Sequence, residues 1–101
     1  MLLELNILPL GRGPSIGSDI ADVVKIIDAS GLDYKLTAEG TILEGSWDQL
    51  MDVAKQCHNE MRKKTDRVIT IMHADDYGDR TGRLSGAVES VAKKVGKSIK
   101  K

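Results

Sequence analysis

Gly40-Thr41-Ile42-Leu43-Glu44-Gly45-Ser46-Trp47 reads as a short strand that leaves a glycine turn and runs directly into a helix. Its apolar residues suit an interior strand. Glu44 is the exception, because an acid within a strand costs burial energy unless something pairs with it or hydrogen-bonds it. Two uses fit it from the residues alone: an acceptor for a bound ligand, or a partner for Lys35 across a hairpin. Upstream, Asp33 to Ala38 reads as a strand and Glu39-Gly40 as a tight turn. A two-residue loop sets Ala38 against Thr41 and Leu36 against Leu43. Lys35, Thr37, Ile42 and Glu44 then share one face, and Tyr34 points to the core side. A loop of odd length would reverse that relation.

Further upstream, Leu2 to Leu8 alternates as a strand, with Leu3, Leu5 and Ile7 on one face and Leu2, Glu4, Asn6 and Leu8 on the other. Pro9 ends it, lacking the N–H that a central ladder requires. Residues 10–17 form a loop by their glycines and prolines, and Ser15 with nearby backbone N–H groups makes it a candidate binding loop. Ser18 or Asp19 is the expected cap of a helix carrying Ile20, Val23, Val24 and Ile27 on one face, which Ser30-Gly31 stops.

Downstream, Ser46 or Asp48 caps a second helix. Its stripe is Trp47, Leu50, Ala54, Cys57 and Met61, with Trp47 as a core anchor at the helix start. Arg67 to His73 reads as a fourth strand, with Ile69 and Ile71 on one face and Val68, Thr70 and Met72 on the other. Residues 74–82 form a polar loop. Leu84, Val88, Val91, Val95 and Ile99 mark a third amphipathic helix, whose last stretch carries five lysines, expected on a solvated face near its negative dipole end.

The order β-α-β-β-α-β-α predicts an α+β fold, a ferredoxin-like βαββαβ sandwich with an additional C-terminal helix, in one domain over residues 1–101. Right-handed crossovers put the first and third strands at the centre. Two helices with one apolar stripe each cover one sheet face. The other face is expected to carry Glu4, Asn6, Lys35, Thr37, Ile42, Glu44, Val68, Thr70 and Met72. That mixture is too polar for a dry core and too apolar for plain surface, which implies a second subunit packed there around an enclosed ligand or waters.

Composition narrows the function. Acids and bases balance at 15 each, which removes a global electrostatic case for nucleic acid or an acidic membrane. The single cysteine, Cys57, forms no internal disulfide and suits a reducing compartment. No run approaches the length of a membrane span or a signal peptide, so a cytoplasmic location is expected. No serine, cysteine or histidine stands in a nucleophile motif. His73, Asp75, Asp76 and Asp79 read as a solvated loop rather than a metal set. Gly11-Arg12-Gly13 lacks the remaining glycine and lysine of a phosphate loop.

Ile7-Leu8-Pro9-Leu10-Gly11, Ser15-Ile16, Ser30-Gly31-Leu32-Asp33-Tyr34, Gly40-Thr41-Ile42-Leu43-Glu44-Gly45, Trp47-Asp48 and Arg67-Val68, in this order, resemble a family of small thiamine-binding proteins related to the YkoF-like binders of thiamine or hydroxymethylpyrimidine. The resemblance runs from about Leu2 to Asp76. It implies a ferredoxin-like subunit that forms dimers and often tetramers. It also implies thiamine or its pyrimidine fragment bound near a subunit interface, without catalysis. Ser15, Thr41 and Glu44 lie on the matching motifs. With Asn6, Thr37 and Thr70 they make the expected ligand-binding set, Glu44 meeting the amino group or the cation and the neutral groups completing a hydrogen-bonding shell. Ile42, Met72 and Leu8 are the expected ring contacts. The resulting expectation is a carrier, buffer or sensor. The alternatives are a regulatory or structural homo-oligomer without a small ligand, and a small enzyme using Glu44 as acid or base.

Overall fold

A computed structural model describes residues 1–101. The elements are β1 (Leu2–Pro9), α1 (Gly17–Ala29), β2 (Asp33–Leu36), β3 (Thr41–Glu44), α2 (Trp47–Arg62), β4 (Val68–Asp75) and α3 (Arg83–Val95). The strands form one antiparallel sheet in the order β2-β3-β1-β4, so β1 and β3 are central as their connections require. This is the expected ferredoxin-like arrangement.

The alternation along β1 sets the layers. Leu3, Leu5 and Ile7 are buried beneath the helices, where Val23 and Ile27 of α1 and Leu50, Val53, Ala54, Cys57 and Met61 of α2 meet them. Each large aliphatic side chain buried there stabilises the fold by about 1.5–3 kcal/mol. The Cys57 thiol faces the Val23 carbonyl at 3.8 Å, and burial pushes its pKa up to about 11. Ser46 caps α2 in a reciprocal box: its Oγ accepts from the Gln49 N–H at 3.2 Å, and Gln49 Oε1 accepts from the Ser46 N–H at 2.9 Å. Trp47 does not anchor the core. It is 57% exposed, and the buried stripe of α2 begins one turn later at Leu50.

Three further expectations are corrected. First, the hairpin pairs Leu36 with Thr41, Tyr34 with Leu43 and Asp33 with Glu44, so its loop has four residues and β2 stops at Leu36 rather than Ala38. Two extra residues preserve parity. Lys35, Ile42 and Glu44 still share the outer face, while Tyr34 packs against the core with its hydroxyl donating to Asp28 at 2.8 Å. Second, β4 is inverted. Pro9 opposes Val68, Ile7 opposes Thr70 and Leu5 opposes Met72, which puts Val68, Thr70 and Met72 on the helix side and Ile69 and Ile71 outside. Both parities of this edge strand are apolar, so alternation does not choose between them. The choice is made at its start, where the Leu10 N–H donates to the Arg67 carbonyl at 2.9 Å and Thr65 Oγ1 donates to the Leu10 carbonyl at 2.5 Å. Third, neither Ser18 nor Asp19 caps α1. Ile16 holds the cap position without a side-chain bond, and Asp19 lies in the first turn, bound to Arg12.

This chain's own α3 packs on the outer face, mainly against β3 and β2. No residue of α3 is buried, and Val88, Val91 and Val95 remain exposed. The β1–β4 half stays open, with Leu8, Ile69 and Ile71 exposed on it.

Candidate functional site

β1 outruns β3 at one end of the sheet. It pairs with β4 through Pro9, but with β3 only to Leu5. Beside Asn6, Ile7 and Leu8 this leaves a notch of about 280 Å³, bordered by the hairpin loop and walled by Ile16, Ile20, Val23 and Ile27. Thr41 lines it and is only 5% exposed. Thr41 and Asp19 are the two buried polar residues of the chain, and Asp19 is matched by Arg12. The rest of the wall is mostly aliphatic, with Thr37, Glu39 and Asn6 at its polar edge. Aliphatic walls with few placed polar groups are what a small flat ligand requires.

The hairpin loop is shaped by Thr37. Its Oγ1 donates to the Gly40 carbonyl at 2.9 Å and accepts from the Gly40 and Glu39 N–H groups at 3.1 and 3.3 Å. The Asn6 amide lies over Gly40, where an added Cβ would stand 2.5 Å from Asn6 Oδ1. Glycine at position 40 therefore admits Asn6 to the rim. Ser15 immediately precedes the wall residue Ile16. Asn6, Thr37 and Thr41 thus line one notch, whereas Ser15 is exposed and does not line it.

Thr70 and Glu44 do not join them. Thr70 lies under α2, with its Oγ1 2.6 Å from His58 Nδ1. Met72 shares that niche rather than the outer face. Glu44 is on the outer face as expected, but its carboxylate caps α3. Oε2 accepts from the Arg83 N–H at 2.9 Å and Oε1 from the Leu84 N–H at 3.1 Å. Gly82 at the cap position has no side chain to do this, and the first turn of α3 has no acid. The alternative partner, Lys35, stands opposite Ile42 instead. The hydrogen bond from Arg83 holds the Glu44 carboxyl below its usual range against the opposing effect of burial; Leu84, the chain's ammonium terminus and the Arg83 charge add to this.

No group of three or more His, Cys, Asp or Glu side chains comes together to hold a metal ion. No helix is long and apolar enough to cross a membrane. A wider groove of about 470 Å³ between α1 and α2 borders none of the expected site residues. Sequence reasoning missed the notch, because it depends on where β3 stops relative to β1. It also missed the Arg12–Asp19 pair, for which Asp19 was read as a cap.

Sheet order, antiparallel pairing and the two crossover helices define a ferredoxin-like α+β protein with a small, largely aliphatic cavity at its hairpin end. The chain belongs to the thiamine-binding protein family, whose model matches residues 3–92. It is 34% identical over 95 residues to a UPF0045 protein of Methanothermobacter thermautotrophicus, covering 91% of this chain and 96% of that one. It is likewise 34% identical over 98 residues to the UPF0045 protein YqgV of Bacillus subtilis, covering 91% and 94%. Among solved structures, the Methanocaldococcus jannaschii protein MJ1052 matches with a TM-score of 0.84 at 24% identity over 91% of this chain and 95% of that one. A Thermotoga maritima protein, named as a candidate for thiamine biosynthesis or salvage, matches with a TM-score of 0.73 at 18% identity over 92% and 96%.

Proposed function

We propose that this protein binds thiamine or its hydroxymethylpyrimidine moiety without transforming it, as a carrier, buffer or sensor in the cytoplasm. Membership of a thiamine-binding family supports the ligand class. The observation that carries the site is the aliphatic notch with the buried Thr41 in it. Its volume suits one ring better than two, since drug-sized ligands occupy about 300–1,000 Å³. The neutral aminopyrimidine lies between Ile16, Ile20 and Leu36, with Thr41 meeting a ring nitrogen or the amino group. The cationic thiazolium stays at the mouth, near the exposed carboxylate of Glu39. Each net hydrogen bond contributes roughly 0.5–1.5 kcal/mol, whereas micromolar affinity requires about 8 kcal/mol. The aliphatic walls therefore supply most of the binding.

Titration calorimetry with thiamine and with the pyrimidine alcohol tests the proposal. Thr41→Val keeps the volume and deletes the hydroxyl, so affinity falls about two- to tenfold while the melting temperature without ligand hardly moves. Absence of heat at millimolar ligand with the unaltered chain would remove the proposal.

The same reading includes a homodimer, and possibly a homotetramer. Asn6 and Leu8 belong both to the notch and to the open half of the outer face, so a second copy seated there comes within reach of the bound ring. Three features favour this partner. The radius of gyration is 15.0 Å, against about 13 Å for a compact chain of this length. The chain is elongated, 47 × 29 × 20 Å, and α3 presents an uncovered apolar stripe. Lys93 and Lys94 in the last turn of that helix, with Lys97 just beyond it, complement Glu4 and Asp75 on the open half. Sedimentation is expected to give a dimer or tetramer, and Ile71→Lys, on the open half, to give a monomer. A monomeric unaltered chain at tens of micromolar would refute the association.

A further inference from the structure

The notch wall formed by Ile16 is the end of a loop held mainly by one side-chain contact. Leu10 is tied to the start of β4 by the Arg67 and Thr65 bonds described above. Ile16 is tied into α1, its carbonyl accepting from the Ile20 N–H at 2.9 Å. Between these anchors, the Arg12 guanidinium donates from Nε to Asp19 Oδ2 and from Nη2 to Asp19 Oδ1, both at 3.0 Å. Gly11 and Gly13 flank Arg12 with φ +80° and +84°, a backbone conformation that glycine adopts readily and other residues do not. The donor thus rides on a pliable bend.

The acceptor is fixed. Asp19 is 5% exposed in the first turn of α1, beside the wall residue Ile20. Lys64, just past the end of α2, stands 3.9 Å from it and is itself bound to Asp22 at 2.5 Å. A bidentate guanidinium–carboxylate pair fixes orientation as well as distance. The Arg12 side chain does not line the cavity.

We propose that the Arg12–Asp19 fork is a latch that sets residues 11–15 as a flap and so positions Ile16, where the flap ends, at the notch. This rests on the ligand reading above, and Arg12 is a positioning residue within it. Closing the flap slows escape of the bound ring. Opening it loosens the Ile16 side chain at the edge of the wall without disturbing the sheet or the α1–α2 core.

The latch is tested first without ligand. Asp19→Asn keeps the shape of the side chain and leaves Arg12 as a trypsin site. Cleavage after Arg12 in the full chain is expected to accelerate about tenfold once the bidentate pair is broken. With thiamine and the pyrimidine alcohol as probes, stopped-flow measurement is expected to show dissociation about tenfold faster and association little changed. Arg12→Lys, which keeps the charge but loses the planar fork, falls between the two. If Asp19→Asn does not fold, Arg12→Gln on the exposed loop replaces it, with hydrogen exchange of amides 11–16 as the readout. Unchanged cleavage or exchange overturns the latch. Faster cleavage with unchanged dissociation overturns its role at the notch. If the unaltered chain binds neither probe, the ligand reading falls together with the role at the notch, and protease rates alone decide whether the latch exists.

Discussion

Leu43→Ala is expected to lower the unfolding free energy by about 2–5 kcal/mol, the largest effect of any single change considered for this chain. Leu43 is fully buried, pairs with Leu3 on one side and Tyr34 on the other, and belongs to the cluster beneath the helices. Truncation leaves a void that the two flanking strands cannot close without losing their register. For a domain whose total stability is about 5–15 kcal/mol, that is a large share. Ile42, next in sequence, faces the other side of the sheet and is only partly covered. Ile42→Ala is expected to cost clearly less. Urea titrations of both variants measure the contrast. Equal losses, or a larger loss for Ile42→Ala, would mean that β3 presents the opposite face to the core.

Glu44→Gln is expected to have the second largest effect, about 1–2 kcal/mol after allowance for partial solvent contact. The carboxylate offers one oxygen to each of two N–H groups, from Arg83 and Leu84. An amide offers one oxygen and sets an NH₂ against the other donor. Because α3 buries none of its own residues, this cap is a main tie between helix and sheet. Hydrogen exchange across 83–95 is therefore expected to rise more than exchange in β1 or α2. The pH dependence has a definite sign. Folding holds the Glu44 pKa below its ordinary 4.5, so its contribution is complete above that value and is lost as pH falls through the lower, folded one. The difference between the unaltered chain and Glu44→Gln should be full at pH 7 and shrink as pH falls below 4.5 and through the lower, folded value. A constant difference across that range would show that the charge on Glu44 does not hold α3.

The layers were legible because alternation in β1 and the stripe in α2 each admit one solution. Leu3, Leu5 and Ile7 can face only the helices, and Leu50, Ala54, Cys57 and Met61 can face only the sheet. β4 was not legible in the same way. Its residues 68–72 are apolar or β-branched on both faces, so its orientation depends on contacts from Leu10 and Thr65, far away in sequence. The outward direction of Glu44 was readable from parity, which the longer hairpin loop preserved. Its partner was not, because the Arg83 and Leu84 N–H groups become available only once α3 folds across the outer face. Of the six expected site residues, Asn6, Thr37 and Thr41 come together at the notch through the glycine turn and the end of β1, while Ser15 stays exposed outside it. Thr70 shared their chemistry but not their place, since it lay on the misjudged strand.

The position of Cys57 has a consequence outside ligand binding. Its sulfur lies in the α1–α2 seam with its proton retained well past neutrality, and oxidants and alkylators act on exposed thiolates. The intact molecule therefore shields its one thiol both sterically and by ionisation. Chemical damage there accumulates only through rare openings of the interior, so the cysteine keeps a cumulative record of how often the centre of the molecule has come apart.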